Sequence, residues 1–298
     1  MITTKYSELV DRMTYDEMRK QCHTSPMQNR NLCRLFMMLL FLSKYANKND
    51  IIVCTGLTSG THIKILSQLY PKCQFELWDY IEYEVPMTPN VTSHRGILTA
   101  EDAKRYTKNG KKTLFISNLR SWHERRKDHE TTVKNDAIVM NDMKMQLDAC
   151  RAMNPKIALL RFRLPWIPTT CEYITGTMYL RPYGSLSTDT MMSTSDYETT
   201  VTYDSQEYDE KLAAHHLSAT CSVPEDNRWT NLINQYGIKN RWDNIYSLYI
   251  TYMYLSTRKD FPQDIQKQHL DTINMFVELV ESQDTIYKIA TRTVFSQD

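Results

Sequence analysis

The sequence predicts an α/β protein: a mostly parallel sheet with helices on both faces, finished by an antiparallel hairpin and a helical extension. Three observations predict it. Short apolar runs alternate with amphipathic stretches of helical period from about residue 26 to residue 162, the pattern of successive βαβ units. Beyond Pro165 the texture turns to β-rich alternation, and from Gln206 it is helical. Glycine is scarce, 7 of 298 residues, about a third of ordinary usage. Yet Gly56 and Gly60 share one loop at a strand-to-helix turn, where the backbone of such a sheet approaches a ligand.

The elements follow in order. Residues 1–25 form an N-terminal segment. From Pro26 to about Lys48 the apolar positions run nearly all round a helix, so it is covered on most sides. Ile51-Ile52-Val53-Cys54 is a buried strand, HIKILSQLY a helix and Phe75 to Asp79 the next strand. Val91-Thr92-Ser93, a helix from Ala100 to Tyr106, and the strand Thr113 to Ser117 repeat the unit. A long helix from about Thr132 to Met153 leads into the strand Lys156 to Phe162. Met191 to Tyr203 suits the antiparallel hairpin. The helical tail is punctuated by Pro224 and Pro262. The expected organisation is therefore 1–25 as a lead segment, 26–205 as the α/β domain and 206–298 as a helical extension.

Composition narrows the function classes. Lys plus Arg is 36 and Asp plus Glu 35, so any nucleic-acid contact must come from a local patch and not from a global basic excess. Seven cysteines, odd in number and without a C-x-x-C pair, read as reduced cytosolic thiols. The eight histidines show no H-E-x-x-H or paired Cys/His spacing, so no metal is expected. The start MITTKYSELVDRM lacks a signal-peptide pattern. The most apolar run, LCRLFMMLLFLS, has about 12 residues against the roughly 20 that span a bilayer. The expectation is a cytoplasmic protein with no membrane partner.

The loop Thr55-Gly56-Leu57-Thr58-Ser59-Gly60-Thr61-His62 lacks the Gly-Lys-Ser/Thr of a P-loop and is not G-x-G-x-x-G. What is left is a turn at the mouth of a parallel sheet. Asp79 ends the next strand about 20 residues on, where a carboxylate accepts from a ribose diol. Loop and acid together suit a nucleoside cofactor of the S-adenosylmethionine kind, with no diphosphate signal. A loop that merely turns the chain is the alternative.

The run LFMMLLFLSKYANKNDIIVCTGLTSGTHIKIL resembles the poxvirus-type poly(A) polymerase small subunit, a family that is also the cap-specific mRNA nucleoside-2′-O-methyltransferase. Ile116-Ser117-Asn118-Leu119-Arg120-Ser121 is similar to the family's Ile-Ser-Asp-Val-Arg-Ser. Leu160-Arg161-Phe162-Arg163-Leu164-Pro165-Trp166 is similar to its Leu-Lys-Trp-Arg-Cys-Pro-Phe. Tyr179-Leu180-Arg181-Pro182-Tyr183 matches more weakly. The resemblance covers roughly residues 28 to 215 and implies a Rossmann-like S-adenosylmethionine-dependent methyltransferase fold.

It also implies a catalytic Lys-Asp-Lys-Glu tetrad, and none of its four members is kept. Threaded without gaps they fall on Cys33, Asn118, Arg161 and Thr190. Methyl transfer to a ribose hydroxyl needs a group that takes the hydroxyl proton, and a guanidinium stays protonated above about pH 12. Asn118 has no charge to orient a lysine, Thr190 is no carboxylate, and Cys33 on an apolar helix reads as a small buried hydrophobe. A shift of one residue would bring Asp189 to the place of Thr190, but neighbouring strand residues face opposite sides.

Of the cofactor positions the resemblance implies, Gly56, Gly60, His62, Asp79 and Arg120 match, and Asn118 keeps a hydrogen-bonding side chain. The family's loop proline is Ser59, and an arginine after the acid is Ile81. S-adenosylmethionine binding is therefore expected to be weak or lost. On the RNA side Trp166 falls where the family stacks the cap guanine, and Asp209 on one acid that reads its edge; Pro168 replaces the second acid. Basic residues cluster before the fourth strand (Lys104, Arg105, Lys108, Lys111, Lys112), after it (Arg120, Arg125, Arg126, Lys127) and at Arg161 and Arg163. Interleaved aromatics suit single-stranded RNA, while Glu124, Asp128 and Glu130 dilute the patch.

The resulting expectation is a catalytically inactive methyltransferase-like subunit of a viral capping or polyadenylation assembly. It would bind capped or single-stranded RNA and a polymerase or capping-enzyme partner. An active cap 2′-O-methyltransferase with a rearranged site is the first alternative. A scaffold that binds no RNA, using adaptable Met-rich helices, is the second.

Overall fold

The computed structural model describes residues 3–21, 30–56, 61–79, 88–121, 128–182, 190–221 and 242–257. Its strands are β1 (Thr3–Lys5), β2 (Ile51–Thr55), β3 (Gln74–Asp79), β4 (Val91–Arg95), β5 (Thr113–Ser117), β6 (Ile157–Phe162), β7 (Thr170–Ile174), β8 (Thr177–Tyr179), β9 (Thr190–Thr194) and β10 (Thr200–Asp204). Its helices are α1 (Tyr15–Gln21), α2 (Arg30–Tyr45), α3 (Thr61–Leu69), α4 (Ala100–Ala103), α5 (His129–Met153), α6 (Ser205–Cys221) and α7 (Trp242–Ser256). The expected helix from Ala100 to Tyr106 is α4 followed by a 3-10 stretch, Lys104–Lys112.

Eight strands form one sheet in the order β1-β8-β9-β6-β5-β2-β3-β4. β2 to β6 are mutually parallel, and β9 runs antiparallel between β6 and β8. The fold is the Rossmann-like α/β architecture that the alternating pattern predicts. Burial explains the strand sequences: every residue of β5 and four of five in β2 are buried, so these strands read as continuous apolar runs. From β2 the chain steps outward to β3 and β4 on one side and to β5 and β6 on the other. That reversal opens a crevice at the C-terminal ends of β2 and β5.

Two cores cover the sheet. On one face α2, buried from Leu35 to Ser43, packs with α3 and with Tyr246, Ile250 and Tyr254 of α7. On the other face α5 presents Val139, Met143, Leu147, Cys150 and Met153, an apolar stripe at helical spacing. Asp128 caps α5 by accepting from the Thr131 amide at 2.9 Å, and Asn154 ends it in the left-handed conformation at φ 49°. Phe162 stacks on Tyr173 at 5.6 Å and meets Tyr203 at 5.3 Å and Tyr208 at 5.2 Å.

The hairpin expected over Met191 to Tyr203 is corrected in its pairing. β9 is the antiparallel closing strand, but its partners are β6 and β8, while β10 pairs with β7 in a separate two-stranded sheet. All five β9 residues are buried and four of five in β10 are exposed, so β9 needs a strand on each side and β10 does not. Asp196 accepts from the amides of Glu198 and Thr199, both at 3.0 Å, and turns the chain away. The N-terminal segment enters the sheet as well. β1 pairs with β8, and Arg12 reaches Glu207 of α6 at 2.5 Å. The tail is anchored too, since Tyr254 donates to the Leu69 carbonyl at 3.2 Å. No described helix is long and apolar enough to cross a membrane.

Candidate functional site

The crevice is built by the ends of β2 and β5. The Asn118 amide donates to the Thr55 carbonyl at 3.0 Å, and Asn118 Nδ2 to the Gly56 carbonyl at 3.4 Å. Gly56 has φ +72°, and a Cβ there would lie 2.7 Å from the Leu119 backbone and 2.8 Å from Asn118 C. This close crossing of two strand ends is what requires glycine at 56. Gly60 lies outside the described residues. Asp79, half-buried, ends β3 at the same edge of the sheet, and its carbonyl accepts from the Gly96 amide at 2.9 Å. His62, in the first turn of α3, is fully buried, and both ring nitrogens lack a partner among the described residues. Burial, and then the Arg34 guanidinium, push its pKa down to about 3. It is a neutral imidazole at ordinary pH.

Three of the four threaded tetrad positions meet on the α2 face. Cys33 and Asn118 line one pocket of about 300 Å³, with Met37, Met38, Ile116, Leu159 and Met191 as apolar walls and Arg34 and Arg181 as its charged groups. Arg161 pairs with Met191 across β6 and β9, which sets both on that face. Thr190 pairs with Phe162, one step out of phase and toward the α5 core, and its hydroxyl donates to the Tyr179 carbonyl. Thr190 therefore does not converge with the other three. Asp189 lies outside the described residues.

Arg120 and Ser121 turn toward α5. Asp142 accepts from the Ser121 amide at 2.8 Å and hydroxyl at 2.6 Å, and lies 3.9 Å from the Arg120 guanidinium. The Ser-Asn-Leu-Arg-Ser block thus fixes the chain leaving β5. A second buried α5 acid, Asp136, accepts from the Ile167 amide at 3.0 Å and lies 3.9 Å from Arg163. The Arg163 guanidinium in turn covers one face of Trp166, 3.4 Å from the ring centroid. Ser205, the first residue of α6, donates its amide to the Thr169 carbonyl at 2.9 Å and accepts from the Thr169 amide at 3.0 Å. The half-buried Asp209 sits one helical turn along from that tie, so the segment carrying Trp166 and the helix carrying Asp209 meet.

Sequence reasoning did not single out Asp136, Asp142, Arg34 or Arg181. The two aspartates had a signal, being acids on the apolar face of an amphipathic helix, where charge is placed only with a partner. The basic cluster is partly neutralised locally. Lys104 pairs with Glu101 at 2.5 Å and Arg105 with Asp102 at 3.3 Å, while Lys108 and Lys112 are exposed. Lys111 has no described side chain, and Arg125, Arg126 and Lys127 lie outside the described residues. Among the described residues no group of His, Cys, Asp or Glu is placed to hold a metal.

A family model for the poly(A) polymerase regulatory subunit matches residues 3–279. The chain belongs to that family. Membership in the regulatory subunit family implies a polymerase partner, and the match takes in β1, α6 and α7 along with the central sheet. No curated protein matches the chain. Among solved structures, a putative ribosomal RNA methyltransferase from Plasmodium falciparum is 15% identical, with a TM-score of 0.32, over 46% of this chain and 79% of that one.

Proposed function

We propose that this regulatory subunit acts without methyl transfer, holding RNA for a polymerase partner. The observation that carries the reading is the chemistry of the α2-face pocket. Asn118 stands where a carboxylate would orient a base, and its amide is turned to the Gly56 carbonyl. The pocket wall next to it holds a thiol and two guanidiniums, and no carboxylate or lysine. Guanidiniums do not accept a proton in water, so no described group there is suited to take the ribose hydroxyl proton.

The same residues test the fit of S-adenosylmethionine. Asp79 at the end of β3 suits a ribose diol. The other end does not fit, because Arg34 and Arg181 would repel a sulfonium, and Asn118 cannot neutralise a methionine ammonium. RNA contact rests on Arg161, Arg163, Lys108 and Lys112 as cations and on Trp166, which has one ring face toward Arg163 and a second for a base.

The test is incubation of the full chain with labelled S-adenosylmethionine and cap-methylated RNA, reading methyl incorporation and RNA retention together. RNA retention without incorporation is expected, as is lengthening of the tails made by a poly(A) polymerase partner. Incorporation abolished by Asp79→Ala would establish an active cap 2′-O-methyltransferase instead. Trp166→Ala is expected to weaken capped RNA more than uncapped RNA; equal binding of both, before and after the change, would make Trp166 a packing residue.

A further inference from the structure

We propose that the pocket between α2 and the β5-β6-β9 face binds a nucleoside 5′-phosphate, its phosphate held by Arg34 and Arg181. This inference does not rest on the RNA-holding reading, since it concerns a free mononucleotide and is tested with one. The pocket is lined by Cys33, Met37, Met38, Ile116, Leu159 and Met191, which form its apolar part. Two arginines and one amide, Asn118, are its polar groups. An apolar slot with a few convergent polar groups is the usual form of a small-ligand site. Its roughly 300 Å³ lies at the lower end of the about 300–1,000 Å³ such sites enclose, which suits a single nucleotide better than a longer segment.

The charge selects the ligand class. With two guanidiniums and no carboxylate in the lining, the pocket favours an anion and disfavours a sulfonium or an amine. Planar guanidiniums match phosphate oxygens two at a time, a geometry that lysine does not offer. Cys33 and Arg34 lie in the first turns of α2, a 16-residue helix whose N-terminal dipole end adds to the same preference. Three methionines supply soft walls that adjust to the flat faces of a base. Asn118 presents both a donor and an acceptor to a base edge or a ribose hydroxyl.

Cys33 supplies an internal reporter, because its thiol is part of the pocket wall whereas Cys54, Cys73 and Cys150 are buried elsewhere in the cores. Titration of the full chain with AMP, adenosine and S-adenosylmethionine is combined with mass-spectrometric measurement of Cys33 alkylation by N-ethylmaleimide. AMP is expected to bind about tenfold or more tightly than adenosine, the size of a lost charge-assisted hydrogen bond, and to slow alkylation of Cys33. Arg34→Gln and Arg181→Gln are each expected to remove most of that preference while leaving adenosine binding unchanged, with Arg34→Lys keeping part of it.

Competition against AMP by oligo(A) bearing a 5′-phosphate or a 5′-hydroxyl separates the sources. Competition by the phosphorylated strand alone assigns the site to an RNA end, and binding of AMP without competition assigns it to a free nucleotide; either upholds the site. Equal affinity for AMP and adenosine would overturn it, as would AMP binding unchanged in both glutamine variants, or tighter binding of S-adenosylmethionine than of AMP. If the variants fail to fold, the AMP-to-adenosine ratio and the protection of Cys33 in the unaltered protein still decide.

Discussion

At Gly56 a positive φ coincides with a backbone crossing that leaves no room for a methyl group. Gly56→Ala is therefore expected to cost about 3 kcal/mol or more, combining left-handed strain with displacement of the Asn118-Leu119 segment; urea unfolding measures it. A loss under about 1 kcal/mol would mean that the two strand ends separate easily. His62 makes a different demand. Its folded pKa, about 3, lies below the ordinary 6.5, so the unfolded chain takes up a proton that the folded chain refuses. Its contribution to stability is complete above 6.5 and shrinks as pH falls from there toward 3. His215 and His216, each lowered to about 4 by burial, act in the same direction. The urea midpoint is expected to fall between about pH 7 and pH 4.5, and His62→Phe to flatten part of that fall. An unchanged pH profile in this variant would show that His62 is not held as a buried neutral ring.

At the scale of the element, α5 does more than cover the sheet. Through Asp142 it fixes the chain leaving β5, and through Asp136 the turn leaving β6. Asp142→Ala leaves the Ser121 amide and hydroxyl and the Arg120 guanidinium short of their acceptor, and is expected to cost about 2–4 kcal/mol. Asp142→Asn, which keeps one oxygen, should cost clearly less, and equal losses in chemical denaturation would refute the anchoring role. These ties mark the limit of what the sequence discloses. The stripe of α5, its Asp128-x-x-Thr131 start and the apolar runs of β2 and β5 are local patterns, legible because each is set by neighbours along the chain. The partner of β9 was not legible, since alternation says that a strand has two faces and not which strand lies beside it. Likewise the motif around Asn118 located the site, but the direction of Arg120 depended on an aspartate well along the next helix.

For the whole molecule, α2 is the member that the other parts enclose. It is apolar nearly all round, so the sheet can cover only one side of it, and α3 and α7 must cover the rest. Tyr246, Ile250 and Tyr254 bring α7 into that core, with the Tyr254 hydroxyl on the Leu69 carbonyl. A chain ending at residue 241 would leave this side of α2 open to water. Burying each such side chain is worth about 1.5–3 kcal/mol, and each kcal/mol shifts the melting temperature of a protein this size by about 2–4 °C. The truncated chain is expected to melt about 10 °C lower or more and to associate through the exposed face. Ile250→Asp in the full chain makes the same test without removing any residue, because it places one charge at a fully buried position. An unchanged melting temperature in both would mean that α7 rests on the core without supporting it. A drop in both, with Cys33 alkylated faster, would tie the tail to the pocket at the other end of α2, so that the helical extension and the candidate site would stand or fall as one packed unit.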